Sequence, residues 1–311
     1  MQSMFDTIII GAGPTGLTAA MYAARRMMKT LVVSKDLGGQ LMWAAEIKNY
    51  PGIKEVTGYE LAQIMSRQVK DLGVEIKAEQ VISIKKSADS SFRVETSKDN
   101  YESKTVIVAM GLAPKQLNLA KENEFVGRGI SYCANCDGPF FKDKTVAVIG
   151  GGNSALDAAE VMSKIAKLVY LVYHKPKFKG FESLIAQVEN KSNIIIMLDS
   201  DIIEIIGSQR LEKIKVKRLA EQTTQEVEVD GLFVEIGYAP KTELLTGLAD
   251  RDSKEQIIVD SSGKTSLAGM FAAGDVTSSE FKQVVVGCGQ GAVAALSAYK
   301  YLQEKEADVS H

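Results

Sequence analysis

Residues 7–26, TIIIGAGPTGLTAAMYAARR, and residues 145–164, TVAVIGGGNSALDAAEVMSK, share one layout. Each is an apolar, β-branched run, then a glycine-rich turn, then an alanine-rich stretch of helical composition. In Gly11-Ala12-Gly13-Pro14-Thr15-Gly16 the first glycine permits a tight turn and the second lets the backbone approach a diphosphate. The third lets helix and strand pack closely, which leaves the diphosphate at the helix N-terminus. The second copy reads Gly150-Gly151-Gly152-Asn153-Ser154-Ala155, the alanine-ending form. One such turn is weak evidence, but two, each between a strand and a helix, predict two dinucleotide sites.

Each copy reaches a second matching signature, VIVAMGLAPK at 106–115 and LFVEIGYAPK at 232–241, again an apolar run closed by glycine. Gly111 lies 100 residues beyond Gly11 and Gly237 lies 87 beyond Gly150, so the second copy is a trimmed version of the first. The pattern predicts an α/β protein of two Rossmann-like dinucleotide-binding domains, the second inserted into the first. Residues 1–113 and 243–311 form the first domain and residues 114–242 the second. A chain of 311 residues, 45% of them hydrophobic, suits two cores at roughly 100–200 residues per domain.

A formal net charge of −2 leaves no electrostatic footprint for nucleic acid, and no lysine-rich tract addresses an anionic membrane surface. The opening MQSMFDTIII lacks a positive n-region, and nowhere do about eighteen apolar residues run uninterrupted, so a soluble, cytoplasmic protein is expected. Three cysteines are too few for a secreted disulfide framework.

A ribose-binding acid is expected about twenty residues beyond the first glycine, but the chain has Ser34 there, with Asp36 two further on. The first ligand is read instead from TSLAGMFAAGDVTSSEFKQVVVGCGQG at 265–291. Asp275, at a strand end, suits the hydroxyls of a ribitol chain, although a helix-capping acid would also stand there. A helix start near Gln283 would place positive dipole against the electron-rich end of a reduced flavin, which makes the first site one for FAD.

SYCANCDGPF, residues 131–140, holds Cys133 and Cys136. Zinc wants about four ligands, and only Cys288, His174 and His311 remain to supply them, none at metal spacing. Two intervening residues let both sulfurs meet in a disulfide across one turn, and dipoles at a helix start favour a thiolate. Asp137 is either a turn acid before Gly138 or the group that hands a proton to a leaving thiolate.

In order and separation, GAGPTG, GGQL at 38–41, CANCDG, GGGNSA and AAGDV resemble the low-molecular-weight thioredoxin reductases of bacteria and archaea nearly end to end. The resemblance implies a homodimer whose FAD passes electrons to the CxxC disulfide, which then reduces thioredoxin. By position it implies Cys136 as the flavin-facing thiol, Cys133 as the thiol that attacks thioredoxin, and Asp137 as the acid. It implies flavin contacts at Gly11, Gly13, Gly16, Gly38, Gly39, Gln40, Asn49, Asp275, Gln283 and Val284, to which Ser34 and Gly111 are added from the strand ends.

The nicotinamide site departs from the family. NADPH-using members resemble HRRxxxR after the second strand of the inserted domain, whereas this chain reads His174-Lys175-Pro176-Lys177-Phe178-Lys179-Gly180. His174 and Lys175 stand in register, beside Gly150, Gly152, Asn153, Ser154 and Ala155 of the turn. The lysines are either a solvated loop or a partial substitute for the arginines. NADPH is the nominal donor, with NADH or ferredoxin as alternatives. A ferredoxin near −400 mV would reduce a thioredoxin near −270 mV with about 6 kcal/mol to spare.

Two other readings use the same residues. A small-molecule dithiol oxidase would keep FAD and the CxxC, but such enzymes resemble CxxC followed by His rather than Asp. A nucleotide sensor without turnover has no use for a reactive thiol pair. Trp43 is either core or a flavin shield, and Cys288 reads as a buried small residue. The inserted domain is expected to rotate as a rigid body about Gly111–Lys115 and Gly237–Lys241.

Overall fold

The computed structural model describes residues 4–44 and 46–309. The chain divides into two compact units, Met1–Ala113 with Ala239–His311, and Pro114–Tyr238.

In the first unit, β1 (Phe5–Ala12), α1 (Pro14–Arg25), β2 (Thr30–Leu37), α2 (Gly58–Asp71) and β3 (Glu75–Ala78) alternate as the sequence predicts. A meander of β4 (Val81–Lys86), β5 (Phe92–Thr96) and β6 (Asn100–Val108) follows. The strand order is β3-β2-β1-β6-β5-β4. The β6 strand serves twice: its first half pairs antiparallel with β5, while its second half runs parallel to β1, with Ile10 opposite Val108.

Continuous β-branched runs are what a parallel sheet covered on both faces requires. Ile9, Val32 and Ile107 face one core with α1 and α2, while Ile8, Ile10, Val33 and Val108 face the other. Ile8 and Ile9 are fully buried, each worth about 1.5–3 kcal/mol relative to exposure. The start of α2 is fixed by a capping box in which Thr57 and Glu60 satisfy each other's backbone N–H groups.

The second unit repeats the plan. After β7 (Ala113–Pro114), which begins at the crossing, come α3 (Glu122–Phe125), β8 (Ile130–Ser131) and α4 (Ala134–Asp137). Then β9 (Thr145–Ile149), α5 (Asn153–Ser163), β10 (Leu168–Val172), α6 (Glu182–Glu189) and β11 (Ile194–Met197) build the parallel layer. The meander here, β12 (Ser200–Gly207), β13 (Leu211–Arg218) and β14 (Thr224–Glu228), is a separate three-stranded sheet. The next strand, β15 (Gly231–Val234), lies parallel to β9, giving the order β11-β10-β9-β15-β8. The two repeated signatures, VIVAMG and LFVEIG, thus contain the ends of the strands β6 and β15, which lie parallel to β1 and β9.

The chain leaves the second unit through β16 (Tyr238–Ala239) and returns to the first, where β17 (Met270–Ala272) adds a parallel partner to β6. The last helix, α7 (Val284–Val309), crosses α1. Glycines set the closeness of that crossing. A Cβ at Gly287 would stand 2.5 Å from the Thr15 hydroxyl oxygen, and one at Gly291 2.3 Å from the Thr15 carbonyl oxygen. Among the described residues no helix is long and apolar enough to cross a membrane.

Candidate functional site

The first glycine turn is shaped by its neighbours. Gly11 has φ +109°, and a Cβ there would stand 2.3 Å from the Ala109 carbonyl oxygen at the end of β6, so only glycine fits. Gly16 lies against Gly11 itself: its Cβ would meet the Gly11 carbonyl oxygen at 1.9 Å. By contrast, a Cβ at Gly13 would meet nothing nearer than the Gly38 carbonyl oxygen at 3.9 Å, which leaves an open backbone face at the start of α1.

The other residues read as flavin contacts gather around this turn. The Gly38 N–H donates to the Ala12 carbonyl, and the Gln40 side chain donates to the Leu112 carbonyl at 3.1 Å, beside Gly111. Ser34 sits in β2, its carbonyl accepting from the Glu79 N–H. Asn49 donates to the Gln283 side-chain carbonyl at 3.2 Å, and Val284 opens α7. Asp275 lies half-buried in a turn at Gly274–Val276, and burial raises its carboxyl above the usual range, opposed by the Lys282 ammonium. Among the described residues no hydrogen bond reaches the Asp275 carboxyl oxygens. An open diphosphate face, a half-buried carboxyl awaiting donors and a helix start between them fit FAD.

Sequence reasoning missed the residues that brace this site. Gln290 accepts from the Gly274 N–H at 2.9 Å, and the Lys282 ammonium donates to the Thr277 carbonyl at 2.7 Å. The polar residues of 277–290 were the available signal. Cys288 is buried, within 3.9 Å of the Tyr50 hydroxyl and 3.8 Å of the Pro14 carbonyl, which agrees with its reading as a packed small residue. The Trp43 side chain and His311 lie outside the described residues.

The second glycine turn has the same construction. Gly150 has φ +142°, and a Cβ there would stand 2.2 Å from the Glu235 carbonyl oxygen and 2.8 Å from the Ala155 Cβ. A Cβ at Gly152 would meet nothing within 4 Å, so this turn too is open to a diphosphate.

The basic loop folds back on this turn. Lys179 N–H donates to the Gly151 carbonyl at 2.7 Å, and Phe181 N–H donates to the Asn153 side chain at 2.8 Å. Phe178 stacks on Tyr173, with 6.0 Å between ring centroids, and Tyr173 covers Gly151. The fold brings the Lys179 ammonium against that of Lys175, which pushes Lys175 below its ordinary range. His174 is exposed. Glu235, at the end of β15, is pushed up to about 7 by burial and then by the Asp157 carboxylate. Sequence reasoning assigned Glu235 no part.

In the second unit Cys133 and Cys136 are joined by a disulfide across the single turn of α4. The Cys136 N–H donates to the Cys133 sulfur at 3.1 Å, so the Cys133 thiolate gains a donor once the bond opens. Cys136 is the more exposed of the two. The Ser131 hydroxyl donates to the Asp137 carboxylate at 2.7 Å and accepts from the Cys133 N–H at 3.0 Å. Asp137 is therefore fixed within the redox turn. Directly before the pair, the Tyr132 hydroxyl donates to buried Glu122 at 2.8 Å, which also accepts from the Leu117 and Asn118 N–H groups.

Two glycine cradles in one chain and a dithiol pair beside a carboxylate define a flavin-dependent disulfide oxidoreductase. Residues 5–291 match the pyridine nucleotide-disulphide oxidoreductase family, and the chain belongs to it. The thioredoxin reductase of Aquifex aeolicus (strain VF5) is 39% identical over 308 residues, 98% of this chain and 95% of that protein. The crystal structure of Lactococcus lactis thioredoxin reductase is similar at TM-score 0.86 and 35% identity, covering 96% of this chain and 99% of that one. A ferredoxin-flavin thioredoxin reductase from Clostridium acetobutylicum is 32% identical with TM-score 0.54, covering 97% of this chain and 99% of that one.

Proposed function

We propose that the protein is an FAD-dependent thioredoxin-disulfide reductase, an assignment carried by the Cys133–Cys136 disulfide with Asp137 tied into its turn. Residues 1–113 and 243–311 hold FAD through Gly11, Gly13, Gly16, Ser34, Gly38, Gly39, Gln40, Asn49, Gly111, Asp275, Gln283 and Val284. FAD, when bound, supplies the electron pair that opens the disulfide.

The remaining steps belong to the chain. Cys133 loses its proton to the Asp137 carboxylate and attacks a sulfur of thioredoxin's disulfide. A Cys133–thioredoxin bond forms, the thioredoxin bond breaks, and the leaving thiolate takes the proton from Asp137. Cys136 then loses its proton and attacks Cys133. The Cys133–Cys136 bond reforms and the second thioredoxin thiolate leaves and is protonated, so two electrons and two protons end on thioredoxin. The Cys136 N–H on the Cys133 sulfur supports Cys133 as the attacking thiol.

For the donor we propose a nicotinamide dinucleotide held at the turn of Gly150, Gly152, Asn153, Ser154 and Ala155, with His174 and Lys175 beside it. The Lys175–Lys179 pair, brought together by the loop, supports a 2′-phosphate and hence NADPH. Ferredoxin is the second reading, favoured by the likeness to the Clostridium acetobutylicum protein and by Pro176 and Gly180 at two of the three arginine positions. A homodimer is proposed on the family likeness, and its test is the mass in solution. Anaerobic addition of NADPH, NADH or reduced ferredoxin, followed by flavin absorbance, decides the donor. Bleaching by NADPH at low concentration supports the first reading, and bleaching only by ferredoxin replaces it with the second.

A further inference from the structure

The proposed exchange asks one carboxyl group to take a proton from Cys133 and return it to thioredoxin within a single step. Asp137 must therefore be well solvated by its surroundings both as carboxylate and as carboxylic acid. Its carboxylate accepts a hydrogen bond from Ser131, the last residue of β8, which is only 4% exposed.

The surroundings of the Ser131 hydroxyl contain what both states need. Its oxygen accepts from the Cys133 N–H at 3.0 Å. Its proton has two acceptors within reach, the Asp137 carboxylate at 2.7 Å and the Cys133 carbonyl at 3.3 Å. With Asp137 ionised, the hydroxyl donates to the carboxylate. With Asp137 protonated, the acid O–H donates to the Ser131 oxygen, which uses its second lone pair, and the Ser131 proton turns to the Cys133 carbonyl. Every donor keeps an acceptor in both arrangements, and only hydrogens move. The same carbonyl also accepts from the Asp137 N–H at 3.1 Å, which holds it in place.

We propose that Ser131 is a positioning residue for the disulfide exchange, a hydroxyl rotor that serves both protonation states of Asp137 and keeps its carboxyl within the redox turn. The proposal rests on the reading of Asp137 as the proton carrier. It gives Ser131 a role in proton flow as well as in packing, since no bond to Ser131 forms or breaks and no electron passes through it. Alanine at this buried position would remove the donor to the carboxylate and the acceptor of the Cys133 N–H together.

The test uses FAD-loaded protein, photoreduced anaerobically so that the physiological donor does not matter, and mixed rapidly with oxidised thioredoxin across a pH series. Wild type, Ser131→Ala, Ser131→Thr and Asp137→Asn are compared, with thermal stability measured alongside. Ser131→Ala is expected to slow thioredoxin reduction about tenfold and to move the acid limb of the rate upward, because a hydrogen bond to the ionised form has been removed. Ser131→Thr, which keeps the hydroxyl, is expected to return the limb toward its wild-type position. If Asp137→Asn is impaired while Ser131→Ala keeps the wild-type limb, with or without a lower melting temperature, the rotor is overturned and Asp137 stands. If Asp137→Asn keeps the wild-type rate and profile, the Asp137 reading fails, and the rotor fails with it.

Discussion

Asn49 and Gln283, 234 residues apart in sequence, are joined by a 3.2 Å hydrogen bond from the Asn49 amide to the Gln283 side-chain carbonyl. The pair ties the segment after the GGQL turn to the start of α7, two of the places from which the proposed flavin contacts come. The protein is expected to purify yellow with one FAD per chain. Asn49→Ala and Gln283→Ala should each alter the flavin spectrum without releasing the cofactor. Their effects should be less than additive, because the partners share one interaction. A colourless protein that cannot be reconstituted with FAD removes the flavin from the account.

Cys133→Ser and Cys136→Ser should each abolish thioredoxin turnover while leaving FAD bound, since exchange needs both an attacking and a resolving sulfur. They differ in what they trap. Cys136→Ser, which keeps the attacking thiol, should accumulate a covalent complex with thioredoxin that a reductant releases, and Cys133→Ser should not. Trapping by Cys133→Ser alone would exchange the two roles.

The two missing arginine positions are not equivalent. Pro176 is exposed, and Pro176→Arg should lower the NADPH KM about tenfold or more by restoring a charge-assisted contact to the 2′-phosphate. At Gly180 a Cβ would stand 2.2 Å from Leu156 Cδ1 and 3.0 Å from Asn153 Oδ1. Because Leu156 is fully buried, Gly180→Arg should lower the melting temperature and gain no affinity. Steady-state kinetics with NADPH and NADH read both. An unchanged KM in Pro176→Arg would mean that Lys175 and Lys179 already suffice or that no 2′-phosphate binds.

Glu235 makes stability fall as pH rises. Its carboxyl ordinarily titrates near 4.5 and is pushed up to about 7 in the folded chain. Below the unfolded value both states are protonated and the group costs nothing. Between the two values the unfolded chain ionises while the folded chain resists, and above the folded value the full cost is present. Glu235→Gln should therefore match the wild-type melting temperature in acid and exceed it by a few degrees above neutrality. A difference that is constant with pH would remove Glu235 from the explanation.

What the sequence disclosed was local. A glycine turn between a strand and a helix carries its own spacing, so both dinucleotide cradles and the CxxC turn were legible, and with them the fold. The bracing contacts were not. Ser131, at the end of β8, meets Asp137 because the single turn of α4 folds back toward it, Gln290 reaches Gly274 across the α7 start, and the Gly287 and Gly291 approach to Thr15 depends on how two helices cross. None of these has a period in the sequence. The lysine loop shows the same limit: its composition left Lys175 and Lys179 open between a solvated loop and a phosphate grip. It is the fold that brings their ammonium groups together, through Lys179 N–H on Gly151 and Phe178 on Tyr173.

Electrons are proposed to reach thioredoxin through Cys133 and Cys136. The most direct measurement mixes photoreduced, FAD-loaded protein with excess oxidised thioredoxin, without oxygen, and counts thioredoxin thiols against reoxidised flavin. In the wild type, thioredoxin is expected to be reduced as the flavin reoxidises, while in Cys133→Ser the flavin should stay reduced and thioredoxin oxidised. Reoxidation of the flavin in Cys133→Ser with full yield of thioredoxin thiols, or a wild-type flavin that stays reduced beside oxidised thioredoxin, would contradict it.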